Sequence, residues 1–455
     1  MASPRYVTAV LSTVLVLAFA GCAADPEPAA APPQAAQSAV EAARQAAVEA
    51  ARGQRPGGTV NLLGLLSGPQ LDQYLGTFKP FEDATGITVK YESTGDLFAV
   101  LQTRLAGGNP PDAVSDPSAG QLRQLARDGK LVPLDTVLDM AAARRDFPTG
   151  LLDMTTVDGK LYGLFFNTAV QSLVWYDPKR YDGPKPPGTW AELSGWATRA
   201  AASGKTPWCI GLSSGPNSGW PGAAWIEQLV LKQSGPDVFD AWWQGRQPWT
   251  SAPIKQAFQT FGAIATDPKQ VVGGPTGVLS ATFDQSPLGL YAKPPSCYLT
   301  VQADFLGSML TQTVPGVKPV EDISFFPFPS IDPRYKGLLE TSGEAIGLLK
   351  DSPQSQAFAR YLATPEFSAL VAATGQWLGV NKQVGPEKYP SALGKQVAAL
   401  YRDAPDVRYA AQASMPLPME TAFFKAVLAY VKQPSRLDTV LAGLERIRRT
   451  AYPTG

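Results

Sequence analysis

GTVNLLGLLSGPQLDQYLGTFKPFEDATGITVKYES, residues 58–93, reads as strand, turn, helix and strand. Thr59–Leu66 is an apolar, β-prone run, and Ser67-Gly68-Pro69 is a turn. Gln70–Thr85 has helical periodicity and stops at Gly86, a residue type suited to a helix C-cap. Ile87–Glu92 supplies the next strand. The pattern then continues. A helix over Asp96–Leu105 is broken by Gly107-Gly108-Asn109-Pro110-Pro111, and Ala113–Ser115 makes a short buried strand before a helix over Gly120–Asp128. Strands alternating with helices of about ten residues predict βαβ units and a parallel sheet, hence an α/β fold.

From Pro184 onward helices dominate, at Thr189–Ser203, Ala223–Gln233 and Ala252–Ala265. Strands return at Ile323–Phe328 and Ala345–Leu349. The last third reads as helices over Ser352–Ala363, Phe367–Thr374, Leu393–Tyr401, Glu420–Val431 and Asp438–Arg449. A chain of 455 residues has room for two lobes, each with its own core.

Composition excludes several functions. Lys plus Arg and Asp plus Glu are 39 each, so there is no basic excess to hold nucleic acid or anionic lipid. The absence of histidine removes Ser-His-Asp and Cys-His catalysis, and with it the commonest metal ligand. Gly211-Leu212-Ser213-Ser214-Gly215 matches a nucleophile elbow, but no histidine exists to activate a serine. Gly273–Gly277 is glycine-rich and lacks the Lys-Ser/Thr ending of a phosphate loop. No catalytic group, metal site or cofactor is therefore expected.

The N-terminus speaks to the compartment. After Arg5, the apolar run Val7–Ala20 has the proportions of a signal peptide and is short for a membrane span. Leu17-Ala18-Phe19-Ala20-Gly21-Cys22 resembles a bacterial lipobox, with residues 1–21 removed and Cys22 acylated; Phe19 departs from the aliphatic residue usual there. Residues 22–57 are rich in Ala, Pro and Gln and contain Val-Glu-Ala-Ala-Arg twice, at Val40–Arg44 and Val48–Arg52. They read as a spacer, either partly helical or a disordered tether. Cys209 and Cys297 remain; in an exported protein they read first as a disulfide, with two buried thiols as the other reading.

Several blocks in order resemble the family-1 extracellular solute-binding proteins of ABC importers. Phe78–Glu82, Thr85–Ile87, Arg104–Asp112 and Asp128–Asp135 are similar to the first lobe of that family. Leu161–Gly163 and Ser172–Tyr176 look like its first hinge crossing. Thr189-Trp190, Gly204–Ile210, Gly219–Pro221 and Phe325–Pro329 are similar to the alpha-glucoside-binding branch. The resemblance implies a two-lobed fold like that of maltose-binding protein, with a central ligand cleft and crossing segments. Lobe one would be 58–165 plus 341–388, and lobe two 166–340 plus 389–455. It further implies a monomer tethered by lipid outside the cell membrane, which passes a carbohydrate to the transmembrane subunits of an ABC permease.

A sugar needs hydrogen-bonding groups for its hydroxyls and a flat ring for its C–H faces. Candidates on loops are Asp96, which equally suits a helix N-cap, and Ser118, where the branch usually has Gln. Asn167 and Gln171 flank the hinge where lysines are expected in close relatives. Trp220 and Trp225 lie where relatives stack a sugar, and Trp377 would oppose them. Gln302, Glu344 and Glu420 complete the set by the same resemblance. Three rivals stay open: a secreted glycoside hydrolase with paired carboxylates among Asp96, Asp284, Glu340 and Glu344, a binder of a related polar solute such as a glycerophosphodiester, or a lipoprotein scaffold that has lost its ligand. With no histidine and a neutral ligand, affinity should be flat between about pH 5.5 and 8, unless burial raises a carboxylate, Glu344 first.

Overall fold

The computed structural model describes residues 34–452, apart from Ser172. The signal segment and Cys22 lie outside the described residues. The first sheet carries Val407–Tyr409, Leu339–Leu348, Ala113–Asp116, Gly58–Gly64 and Ile87–Ser93 in that order, with Gly163–Val170 also paired to Leu339–Leu348. Gly58–Gly64 pairs in parallel with both its neighbours, as the βαβ pattern predicts. The sheet as a whole is mixed, which corrects the all-parallel expectation. Leu339–Leu348 runs antiparallel to Ala113–Asp116 and to Gly163–Val170. These long crossing strands carry the chain between lobes and have no crossover helix to force them parallel.

The helix Gly68–Thr85 shows how the first lobe is built. Tyr74, Phe78 and Phe81 are buried on one face. They meet Phe166, Phe358 and Tyr361 at ring-centroid distances of 4.7, 5.2 and 5.1 Å. Gly86 ends the helix at φ 69°, its N–H donating to the Glu82 carbonyl. A side chain there would be strained in the left-handed region, so glycine sets the stop.

The supposed spacer is part of the body. Gln34–Ala50 is a helix whose Ala43, Ala46, Ala47 and Ala50 are buried. This alanine stripe lies on Gly68–Thr85, Pro353–Leu362 and Pro365–Ala373. Arg360 Nε donates to the Ala50 carbonyl at 2.6 Å, and Arg44 pairs with Asp83 at 3.5 Å. Alanine allows close helix packing, and the stripe was masked by its helix propensity.

The second lobe centres on an antiparallel sheet of Leu299–Val301, Leu173–Tyr176 and Ser324–Pro327, wrapped by helices. Its tryptophans explain the cluster between Trp175 and Trp249: Trp175, Trp208, Trp242 and Trp249 are fully buried. The helix Trp220–Trp243 breaks at Gly235 (φ 83°) before Pro236. Cys209 and Cys297 form a disulfide inside this lobe. The segment from 389, expected in lobe two, returns the strand Val407–Tyr409 to the first sheet, with Tyr409 in the first core. Among the described residues no helix is long and apolar enough to cross a membrane.

Candidate functional site: an interlobe cleft

A cavity of about 600 Å³ lies between the lobes, past the C-terminal end of Ala113–Asp116. Its position follows the rule that ligands bind beyond the ends of parallel strands. Local geometry sets each wall. Asp116 Oδ1 accepts from the Ser118 N–H at 2.7 Å, which turns the chain into the helix Ala119–Arg127. Ser118 caps that helix and faces lobe two, its Oγ 3.4 Å from both the Ala413 carbonyl and Glu420 Oε2. In the crossing strand the register shifts between Glu344 and Ala345. Such a bulge re-aims a side chain, and Glu344 projects into the cleft. Its N–H donates to Asn167 Oδ1 at 2.8 Å, and its Oε2 accepts from Ser115 Oγ at 2.5 Å.

Eight of the sequence candidates line this cavity: Asp96, Ser118, Asn167, Gln171, Trp220, Glu344, Trp377 and Glu420. Asp96 also caps its helix, accepting from the Ala99 N–H at 3.1 Å. Two candidates are placed elsewhere. Trp225 is 2% exposed, packed in the second core with ring centroids 5.1 Å from Trp208 and 5.7 Å from Phe328. It lies five positions after Trp220, about 140° further round the helix, and so faces inward. Gln302 is buried behind the hinge, with Oε1 accepting from the Ala303 N–H and its carbonyl accepting from Trp175 Nε1.

Other cleft residues escaped the sequence reading. Asp116, Phe305, Tyr409, Gln412 and Phe424 also line the cavity. Tyr409 Oη lies 2.7 Å from the carbonyls of both Pro117 and Gly343, tying two cleft walls together. Asp116, two residues before the candidate Ser118, and Phe424, four after the candidate Glu420, were the two with a signal in the sequence.

Burial governs the electrostatics. Desolvation, opposed by the Ser118 N–H and reinforced by Glu344, raises the Asp116 carboxyl to about 7. Desolvation likewise raises Glu344 to about 7. Glu420 is pushed up to about 8 by burial, then by the nearby Asp116 and Glu227 carboxyls. Lys425, exposed at the mouth, is the one cationic side chain among the described residues lining the cavity. Three buried polar atoms of lining residues have no hydrogen-bond partner among the described residues: Asp116 Oδ2, Asn167 Nδ2 and Gln412 Oε1. Trp220, Phe305, Trp377 and Phe424 add apolar ring surface. Of the carboxylates the hydrolase reading needs, Asp284 and Glu340 do not line the cavity. Glu340 is fully buried, hydrogen-bonded to Gln228 Nε2 at 2.6 Å and to Glu227.

A cleft between two lobes, lined by buried polar atoms and aromatic rings, fits a receptor for a small polar solute. The chain belongs to the bacterial extracellular solute-binding proteins, whose family model it matches over residues 66–368. It is 32% identical over 375 residues to the osmoprotective compounds-binding protein GgtB of Synechocystis sp., covering 82% of this chain and 88% of that one. It is 31% identical over 409 residues to the alpha-glucosides-binding periplasmic protein AglE of Rhizobium meliloti, covering 86% and 87%. Among solved structures, a chitin oligosaccharide binding protein superposes with a TM-score of 0.73 at 19% identity, covering 87% of this chain and 99% of that one. Maltose-bound MalE3 of T. maritima gives 0.67 at 14% identity, covering 87% and 100%. The two-lobed fold is thereby shared.

Proposed function

We propose that the chain captures a carbohydrate, an oligosaccharide or alpha-glucoside, between its lobes and delivers it unchanged to the permease of an ABC importer. The observation that carries this reading is the set of three buried, unpartnered atoms beside aromatic rings: Asp116 Oδ2, Asn167 Nδ2 and Gln412 Oε1. Buried polar atoms are costly without partners, and a polyhydroxyl ligand supplies both donors and acceptors. The name of the relative AglE, an alpha-glucosides-binding protein, supports the same ligand class. A glycerophosphodiester fits less well, because among the described lining residues its phosphate would find Lys425 as its one cationic partner. The hydrolase reading is disfavoured too. Of its four candidate carboxylates, Asp284 and Glu340 lie outside the cavity, which leaves Asp96 and Glu344 alone to make a pair there.

A thermal-shift panel of trehalose, sucrose, raffinose, maltose and maltotriose tests the proposal. Ligand at 100 times its dissociation constant should add about 2.7 kcal/mol of stability. Silence across the panel would remove the carbohydrate assignment, and hydrolysis of any member would favour an enzyme. Trp220→Ala and Trp377→Ala should each weaken binding by about 1–3 kcal/mol, as loss of an aromatic anchor does. Unchanged affinity in both would move the ligand away from these rings.

The anchoring proposal rests on Cys22, with the protein acting as a monomer at the outer face of the cell membrane. Because the helix from Gln34 is docked on lobe one, residues 23–33 alone separate the lipid from the body, a reach of at most about 40 Å. Cys22→Ala should release the protein from washed membranes; retention through high salt would contradict lipidation.

A further inference from the structure

Beside the main cleft lies a second cavity of about 220 Å³, bounded by Trp377, Asp304 and the helices Phe305–Thr313 and Ala392–Arg402. It is smaller than the roughly 300 Å³ typical of the smallest independent ligand pockets. Three elements run from one cavity into the other. On the helix Gly68–Thr85, Gln70 lines the main cleft and Gln73, one turn on, lines the side cavity. On Phe305–Thr313, Phe305 lines the cleft, and Ser308 and Gln312 on the same helical stripe line the side cavity. Positions three and seven apart share a face, so both helices present one continuous edge. Trp377 lines both spaces and stands at their junction.

The side cavity is polar where a ligand would need it. Asp304 Oδ2 accepts from the Val170 N–H at 3.1 Å, while Oδ1 is buried without a hydrogen-bond partner among the described residues. Burial raises this carboxyl to about 7. Gln73, Ser308, Gln312 and Thr374 add amides and hydroxyls around it, and Trp377 supplies a ring face.

We propose that this side cavity is an extension subsite: it receives one further sugar ring of an oligosaccharide whose first rings occupy the main cleft. Asp304 Oδ1 takes a hydroxyl of that ring, and Trp377 stacks against the ligand at the junction. The inference rests on the carbohydrate reading above and adds a chain-length preference to it. A disaccharide is held within the main cleft, whereas a trisaccharide that extends past Trp377 also reaches Ser308 and Asp304.

Titration calorimetry of the protein with matched pairs, maltose against maltotriose and sucrose against raffinose, tests it. In at least one pair the trisaccharide should bind about tenfold or more tightly than its disaccharide. Ser308→Trp, which fills the side cavity, should abolish that advantage and leave the disaccharide affinity unchanged. Gln73→Ala, on an exposed helix face, should reduce trisaccharide affinity about fivefold with the same indifference to the disaccharide; it guards against misfolding of the bulkier variant. Equal affinities within both pairs, or an advantage that survives both substitutions, would overturn the subsite while leaving the carbohydrate reading standing. Binding of none of the four sugars would overturn both.

Discussion

Replacing Cys209 and Cys297 together by alanine should destabilise the protein by about 4–5 kcal/mol, the chain-entropy estimate for a loop of this size. The two cysteines are 88 residues apart and join within the second lobe. The bridge holds the segment after the helix Trp190–Ala202 against the strand Leu299–Val301, where the Cys209 N–H also donates to the Leu299 carbonyl at 2.8 Å. Both residues are almost fully buried, and Gly289 packs so closely that a Cβ there would sit 2.5 Å from Cys297 Sγ. Urea unfolding with a reductant should therefore reproduce much of the double substitution. Hydrogen exchange should show the loss first in residues of the second core, such as Trp208 and Leu299, and less in Val60 or Val114 of the first. A wild-type protein whose urea midpoint ignores reductant would mean that the two sulfurs act as buried thiols.

What the sequence disclosed and what it withheld divide along physical lines. Local signals survived well. The stop at Gly86, the βαβ start and the strand Ala113–Asp116 were readable because capping and hydrophobic runs are short-range effects. Polar residues at loop starts, such as Asp96 and Ser118, were readable for the same reason. The crossing strand Leu339–Leu348 begins six residues before the expected Ala345. Its first half reads Leu-Glu-Thr-Ser-Gly-Glu, and only its partner strands Val407–Tyr409 and Gly163–Val170 in the first sheet make it a strand. Tyr409 and Gln412 were invisible because a strand of three residues and a helix of four have no period to detect. Trp220 and Trp225 look equivalent in sequence, and only the rotation of their helix separates cleft from core. The docked helix Gln34–Ala50 was misread because alanine serves a solvated helix and a packed one equally well.

Raising the pH from 5.5 to 8 should destabilise the ligand-free protein by several kcal/mol, an effect contrary to that of ordinary paired carboxylates. The sign follows from the direction of the shifts. Asp116, Asp304 and Glu344 sit at about 7 and Glu420 at about 8, against ordinary values of about 4, Glu227 is raised too, and burial is the main cause in each. Glu340 is raised as well, by burial and then by Glu227. Between the unfolded and folded values the native state holds more protons than the unfolded state. Their contribution is complete below about pH 4 and is lost as pH rises through about 7 to 8. Carboxylates shifted downward, such as Asp112 beside Asn61 and Lys350, lose their contribution only in acid, below this window. Lys232, lowered to about 8 by burial, opposes the trend only at higher pH. The urea midpoint should fall steadily across the window, and Glu420→Gln, which cannot ionise, should flatten part of the slope. The same groups revise the expectation of pH-independent binding. A sugar hydroxyl that donates to Asp116, Glu344 or Glu420 favours the ionised form, so binding near pH 7 releases protons. Calorimetry in buffers of different ionisation enthalpy reads that release directly. A urea midpoint that stays level or climbs between pH 5.5 and 8 would show that these carboxyls are solvated and ionised throughout, and the cleft would then be a charged site.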